Sequence, residues 1–231
     1  MTKSQRASFF LNLFIVLQTI FAIWAMLADF RFMSDPSKPA VLSSANAKAF
    51  KYFTVDSNVF AGIISLVMVI VQLLINKGRL KKVPKLLYLL KLAATTGVTL
   101  TMLVTAFFLA PFQFGFAALF VDSNLFMHLL IPLLCIITFV FFEPADISTA
   151  QTFAGTVPML IYAIFYSINI LLHLENGRPS KTYDWYGFLD GGLNTIWFVG
   201  LLMLGVTWAM ALLIQTANRK NRERLEKAGA N

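Results

Sequence analysis

Six apolar runs dominate this chain, at about residues 9–28, 52–75, 86–110, 117–142, 156–174 and 192–216. Each is long enough to cross the roughly 30 Å hydrocarbon core of a bilayer as a helix. Lipid offers no partner to a backbone N–H or C=O, so a spanning segment is either a helix or part of a closed barrel. Barrel strands read as alternating segments of about ten residues, whereas these runs are continuous. The expected fold is therefore all-α: a polytopic membrane protein whose residues 1–231 form a single six-helix transmembrane domain. Only 13% of the residues are charged, about half the share of a soluble domain.

The net charge of +8 invites a nucleic-acid reading, but its placement answers differently. Lys3 and Arg6 precede the first run, Lys77, Arg79, Lys81, Lys82 and Lys85 crowd the loop between the second and third, and five basic residues from Arg219 to Lys227 follow the sixth. That side holds 12 basic residues against six in the opposite loops, with Lys91 inside the third run. This is the positive-inside pattern, and it puts both termini in the cytoplasm. The basic tails then meet anionic headgroups of membrane lipids, and no nucleic-acid partner is expected. The first run follows "MTKSQR" as a signal peptide might, yet it is longer than an h-region and no A-x-A site follows it, so it is expected to remain as a helix. Cys135 is the single cysteine, which excludes an internal disulfide. No linker divides the chain; its longest non-apolar stretch, 29–51, holds the turn sequence "SDPSKP".

Against this background one word stands out. Val-Asp-Ser-Asn occurs at 55–58 and again at 121–124, each time near the start of an apolar run. Asp and Ser are good helix N-caps, which is one explanation. The other is that both helices begin earlier, near Phe116 in the second case. The words would then lie one to two turns inside the membrane, where polar residues mark functional sites. Thr54 and Asn58 share a helical face, as do Asn124 and His128, whereas Asp56 points away from Thr54. The fifth run carries a stripe of Tyr162, Tyr166, Asn169 and His173, and the sixth opens with Asp190 and Asn194. Four helices thus bring polar side chains to one zone in the outer leaflet.

His128 is one of only two histidines, and imidazole is the side chain that exchanges a proton near neutral pH. Thr54 supplies a hydroxyl that needs such a base before it can attack a carbonyl. Asn58 and Asn124 offer amide donors to an oxyanion. Asp122 or Asp190 can orient the imidazole, Asp56 and Asn169 support the zone, and His173 is a second candidate base. The bland alternative is a threonine bonded to its own helix and a histidine bridging two others.

"KYFT" before a long apolar helix, "MHLLIP" in a later one, and "DWYGFLD" towards the end resemble the androgen-induced gene 1 family. Animal members of that family are multi-span hydrolases of fatty acid esters of hydroxy fatty acids, and many small bacterial membrane proteins belong to it. The resemblance implies Thr54 as nucleophile and His128 as its base; a lipid ester is the expected substrate, and no cofactor or metal is expected. It also implies a bacterial cytoplasmic membrane as the location. This chain departs from the family in the acidic, amide-rich "VDSN" after the threonine and in the terminal Asp190, which leaves the lipid unspecified. Two other readings compete: a small transporter or channel built on the repeated Asp and Asn, and a membrane protein without chemistry. A haem held by His128 and His173 is a weaker third.

Overall fold

The computed structural model describes residues 2–35, 46–115, 119–189, 191–227 and 229. Among them no strand forms, and six helices are long and apolar enough to cross a membrane. They are α1 (Lys3–Leu27), α2 (Phe53–Asn76), α3 (Lys85–Val104), α4 (Asp122–Phe142), α5 (Ala150–Leu172) and α6 (Thr195–Lys227). The start of α1 meets the end of α4 through Ser4 and the carbonyl of Phe142 (3.5 Å). Arg222 of α6 pairs with Asp146 just beyond α4 at 3.3 Å. The start of α1 and the tail of α6 therefore lie at one end of the bundle, with the Lys77–Lys82 loop; we call it the basic end.

Two expected boundaries move, and both moves bear on the site. A 3₁₀ turn (Asn46–Lys51) precedes α2, which starts at Phe53. The fourth helix starts at Asp122, after an extended Val121; the expected start near 117 lies outside the described residues. Both Val-Asp-Ser-Asn words therefore open their helices in the first turn, which corrects the expectation that they lie one to two turns inside. Neither aspartate caps its own helix, however. The N-cap positions are Tyr52 and Val121, and neither side chain makes a capping bond. The sixth helix runs on to Lys227, its last turns supported by the i,i+4 pairs Arg219–Glu223 and Arg222–Glu226.

Prolines explain the irregular helix geometry. Pro111 lies inside a π-helical continuation of α3 over Thr105–Phe114. In α4, Pro132 has no N–H to donate to the carbonyl of His128, and the helix widens to π over Phe126–Leu130, the turn that carries His128. Such π segments are rare and recur at functional sites.

The main core joins α1 to α4 through Ile15, Ala22, Ile64, Met68, Val98 and Ile131. The third helix is central, with 61% of its span window buried against 22% for α5 and 17% for α6. Those outer helices turn Phe165, Trp197, Leu201 and Leu213 to lipid. Small residues set the closest approaches, as in other membrane bundles. A Cβ on Gly155 would lie 2.5 Å from Cβ of Ala211 and 3.1 Å from the Thr96 hydroxyl, whereas one on Gly200 would meet nothing within 4 Å. The same change at the two positions should therefore act in opposite directions. Gly155→Ala should cost roughly 1–3 kcal/mol by overpacking, and Gly200→Ala should be neutral or slightly stabilising because it removes glycine from a helix interior. Thermal unfolding in detergent reads both; equal effects would mean that α5 does not seat on α6 through Gly155.

Candidate functional site

Thr54 is the second residue of α2 and is half-buried. Most threonines in the spans donate to a carbonyl three or four residues back, among them Thr19, Thr96, Thr99, Thr138 and Thr207. The hydroxyl of Thr54 makes no hydrogen bond among the described residues; the fully buried Thr95 is similar in this. One turn on, Asn58 is completely buried. Its amide donates to the carbonyl of Thr54 (2.8 Å) and to that of Met127 on α4 (3.1 Å). One side chain thus ties the Thr54 turn to the π segment beside His128.

His128 is buried, with Nδ1 3.5 Å from the carbonyl oxygen of Leu119. A proton on Nδ1 faces that carbonyl, which leaves Nε2 as the acceptor a base requires. Thr54 and His128 share no direct hydrogen bond. Asn124 is half-buried one turn before His128. Asn58 was expected to donate to an oxyanion, but both its N–H groups are engaged by carbonyls. Its open atom is the buried Oδ1, which has no partner among the described residues. That role is corrected: Asn58 positions the two helices and offers only an acceptor.

The remaining expected residues divide. Asp122, in the left-handed region at φ 51°, accepts from the backbone N–H of Phe32 (2.8 Å) and Met33 (2.7 Å) and from the Ser34 hydroxyl. Its carboxylate holds the turn after α1 and does not bond His128. Asp190 lies outside the described residues. His173 ends α5 exposed, its Nδ1 2.8 Å from the Asn169 carbonyl and its ring stacked on Tyr183 at 3.9 Å. Asp56 and Asn169 line a different space, an apolar cleft of about 890 Å³ between α2, α3 and α5 that neither Thr54 nor His128 borders. The one polar zone expected of these residues is therefore divided: Asp56 and Asn169 line this cleft, and Thr54 and His128 do not.

The tyrosine stripe of α5 builds a lid over the start of α2. Tyr162 donates to the carbonyl of Lys51 at 2.7 Å, and Trp185 donates to the Tyr162 hydroxyl at 3.1 Å. Asp184 accepts from the Tyr166 hydroxyl and from the N–H groups of Phe188 and Leu189. The Tyr186 hydroxyl accepts from the N–H of Phe53 at 3.0 Å, so this loop satisfies the first orphan donor of α2, next to Thr54. Burial pushes the Tyr186 hydroxyl up to about 12, which keeps it neutral at ordinary pH. Asp184, the acid at the front of "DWYGFLD", holds this loop to α5.

A second polar centre lies towards the basic end. Lys91 is fully buried and donates to Oδ1 of Asn12 (2.6 Å) and to Ser65 (2.7 Å). Asn12 in turn donates to Glu143 Oε1 at 2.7 Å and to the carbonyl of Ser8 at 2.9 Å. Gln72 joins through Ser8 at 2.8 Å, and Asn218 of α6 holds the Glu143 carbonyl at 2.7 Å. Oε2 of Glu143 has no partner. Among the described residues no group of three or more His, Cys, Asp or Glu could hold a metal. Compared with family models, with characterised proteins and with solved structures, the chain matches none.

Removing one member of this second centre strands a buried charge, which typically costs about 3–5 kcal/mol. Lys91→Met and Glu143→Ala should each show such a loss in unfolding titrations. The double variant Lys91→Met/Glu143→Ala should be clearly more stable than the sum of the two. Additive losses would mean that Asn12 does not couple the two charges.

Proposed function

We propose that this chain is an intramembrane lipid ester hydrolase, with Thr54 as nucleophile and His128 as base. One observation carries the reading: the uncommitted Thr54 hydroxyl sits on a turn that Asn58 ties to α4 beside His128. Family resemblance at "KYFT" and "MHLLIP" points the same way. The ester carbonyl of a fatty acyl ester, such as a fatty acid ester of a hydroxy fatty acid, approaches Thr54 from the membrane. Nε2 of His128 takes the Thr54 proton as Oγ1 attacks, directly or through one water. Collapse of the tetrahedral adduct breaks the ester C–O bond, and His128 returns the proton to the leaving alcohol. Water then attacks the acyl-threonine with His128 again as base, releasing the fatty acid. The basic end faces the cytoplasm in this reading, so Thr54 works in the outer half of a bacterial cytoplasmic membrane.

The second reading, a proton or cation pathway, now rests on Lys91, Asn12 and Glu143, because the carboxylate of Asp122 is engaged by backbone N–H groups. The two readings separate in one set of proteins. With a panel of lipid esters, Thr54→Ala and His128→Ala should each lower turnover roughly 10²–10⁴-fold, while His173→Ala and Glu143→Gln keep it. A conducting protein instead hydrolyses nothing and loses flux in liposomes when Glu143 is neutralised. Full ester turnover by Thr54→Ala ends the nucleophile assignment.

A further inference from the structure

The cleft between α2, α3 and α5 has an unusual charge arrangement. From Ala154 to Asn169 it follows α5 for about 22 Å of helix rise, more than half the roughly 30 Å hydrocarbon core. Its walls are apolar, with Phe60, Leu89, Ile161 and Phe165 among them. Near the Thr54 end, however, it is lined by the carboxylate of Asp56 and by Lys51. Asp56 is exposed in the first turn of a spanning helix, yet its carboxylate makes no hydrogen bond or ion pair with any described residue. Lys51 does not neutralise it: the ammonium lies instead over the rings of Tyr52 (5.1 Å) and Trp185 (5.4 Å). A bare carboxylate beside an apolar, lipid-facing wall is costly without a partner.

We propose that this cleft binds a zwitterionic aminophospholipid. One acyl chain lies along α5, the headgroup ammonium meets Asp56, and the phosphate meets Lys51. Charge decides among the lipids at hand. An anionic lipid satisfies Lys51 but is repelled by Asp56, and a neutral glyceride leaves Lys51 without an anion. A phosphatidylethanolamine headgroup carries both complementary charges, with N–H donors that a carboxylate accepts as charge-assisted hydrogen bonds. Trp185 borders the cleft and reports occupancy. The site is separate from Thr54 and His128 and stands whether or not they hydrolyse an ester.

The test uses the full chain with Trp24, Trp197 and Trp208 changed to Phe, which leaves Trp185 as the only one of four tryptophans. In vesicles, brominated-chain phosphatidylethanolamine should quench Trp185 at roughly tenfold lower mole fraction than brominated phosphatidylglycerol, the effect of one charge-assisted hydrogen bond. Asp56→Asn should abolish that preference, Asp56→Glu should retain it, and Thr54→Ala should leave it untouched. Native mass spectrometry of the unaltered protein in mixed lipid gives an independent reading of the same preference. Equal quenching by all headgroups, a preference that survives Asp56→Asn, or phosphatidylcholine binding as well as phosphatidylethanolamine would each overturn the proposal. The last outcome would assign the headgroup to the aromatic rings and not to the carboxylate.

Discussion

A lysine with no solvent exposure inside a lipid-embedded bundle must find every partner within the protein, and Lys91 organises the bundle for that reason. Its ammonium can only donate, so the atom facing it on Asn12 is the oxygen, and the amide hydrogens of Asn12 are directed to Ser8 and Glu143. A single asparagine thereby links a buried cation on α3 to a buried carboxylate at the end of α4. Ser65 on α2 completes the set, so four helices are fixed in rotation and depth by groups that lipid cannot replace. Buried ionic groups are poor sources of net stability. Register is what this one supplies, because a slip of one residue in any helix leaves a charge without its partner.

That clamp accounts for the uneven architecture. The helices it ties, α1 to α4, share the main core. The fifth and sixth helices lie against α3, and α6 reaches the clamp through Asn218, so both stay largely open to lipid. With α5 held at its two ends, by Gly155 packing near one and the tyrosine–Asp184 lid at the other, its middle stands away from α2 and the lateral cleft remains between them.

Hydropathy made the six spans legible, because length and apolarity suffice to define a membrane helix. Boundaries were less so. The fourth run reads as apolar from about 117, yet α4 begins at Asp122, where the carboxylate is drawn to the turn after α1 some ninety residues earlier in the chain. The repeated Val-Asp-Ser-Asn words were visible, but their identical letters do unlike work: Asp122 clasps backbone N–H groups and Asp56 faces the cleft. Nothing in the sequence distinguishes those fates, since both depend on a neighbour distant in the chain. Lys91 was visible as a lone charge in an apolar run. Its partners were not, because Ser8 and Asn12 look like isolated polar residues until α1 is packed on α2 and α4. The π turn at His128 had a local signal, Pro132 four residues on, that a reading of polar spacing passed over.

The two ends of the bundle differ in the kind of bonding that holds them, a difference that fits the proposed entry of a lipid ester. Towards the basic end, side-chain hydrogen bonds between helices restrain α1 to α4. Towards the other end, α3 and α4 both pass into π geometry, where each bond spans five residues and the helix is wider. The contacts there include the Asn58 amide, the Asp122 carboxylate on the turn after α1, and an aromatic loop whose Tyr186 hydroxyl caps α2. The Asn58 and Tyr186 contacts carry no charge and can open without stranding one in lipid, whereas opening the clamp would expose Lys91. On the proposed reading, a lipid ester arriving through the membrane would meet the end where Asn58 and Tyr186 make these uncharged contacts, while the clamp at the basic end holds α1 to α4 in register.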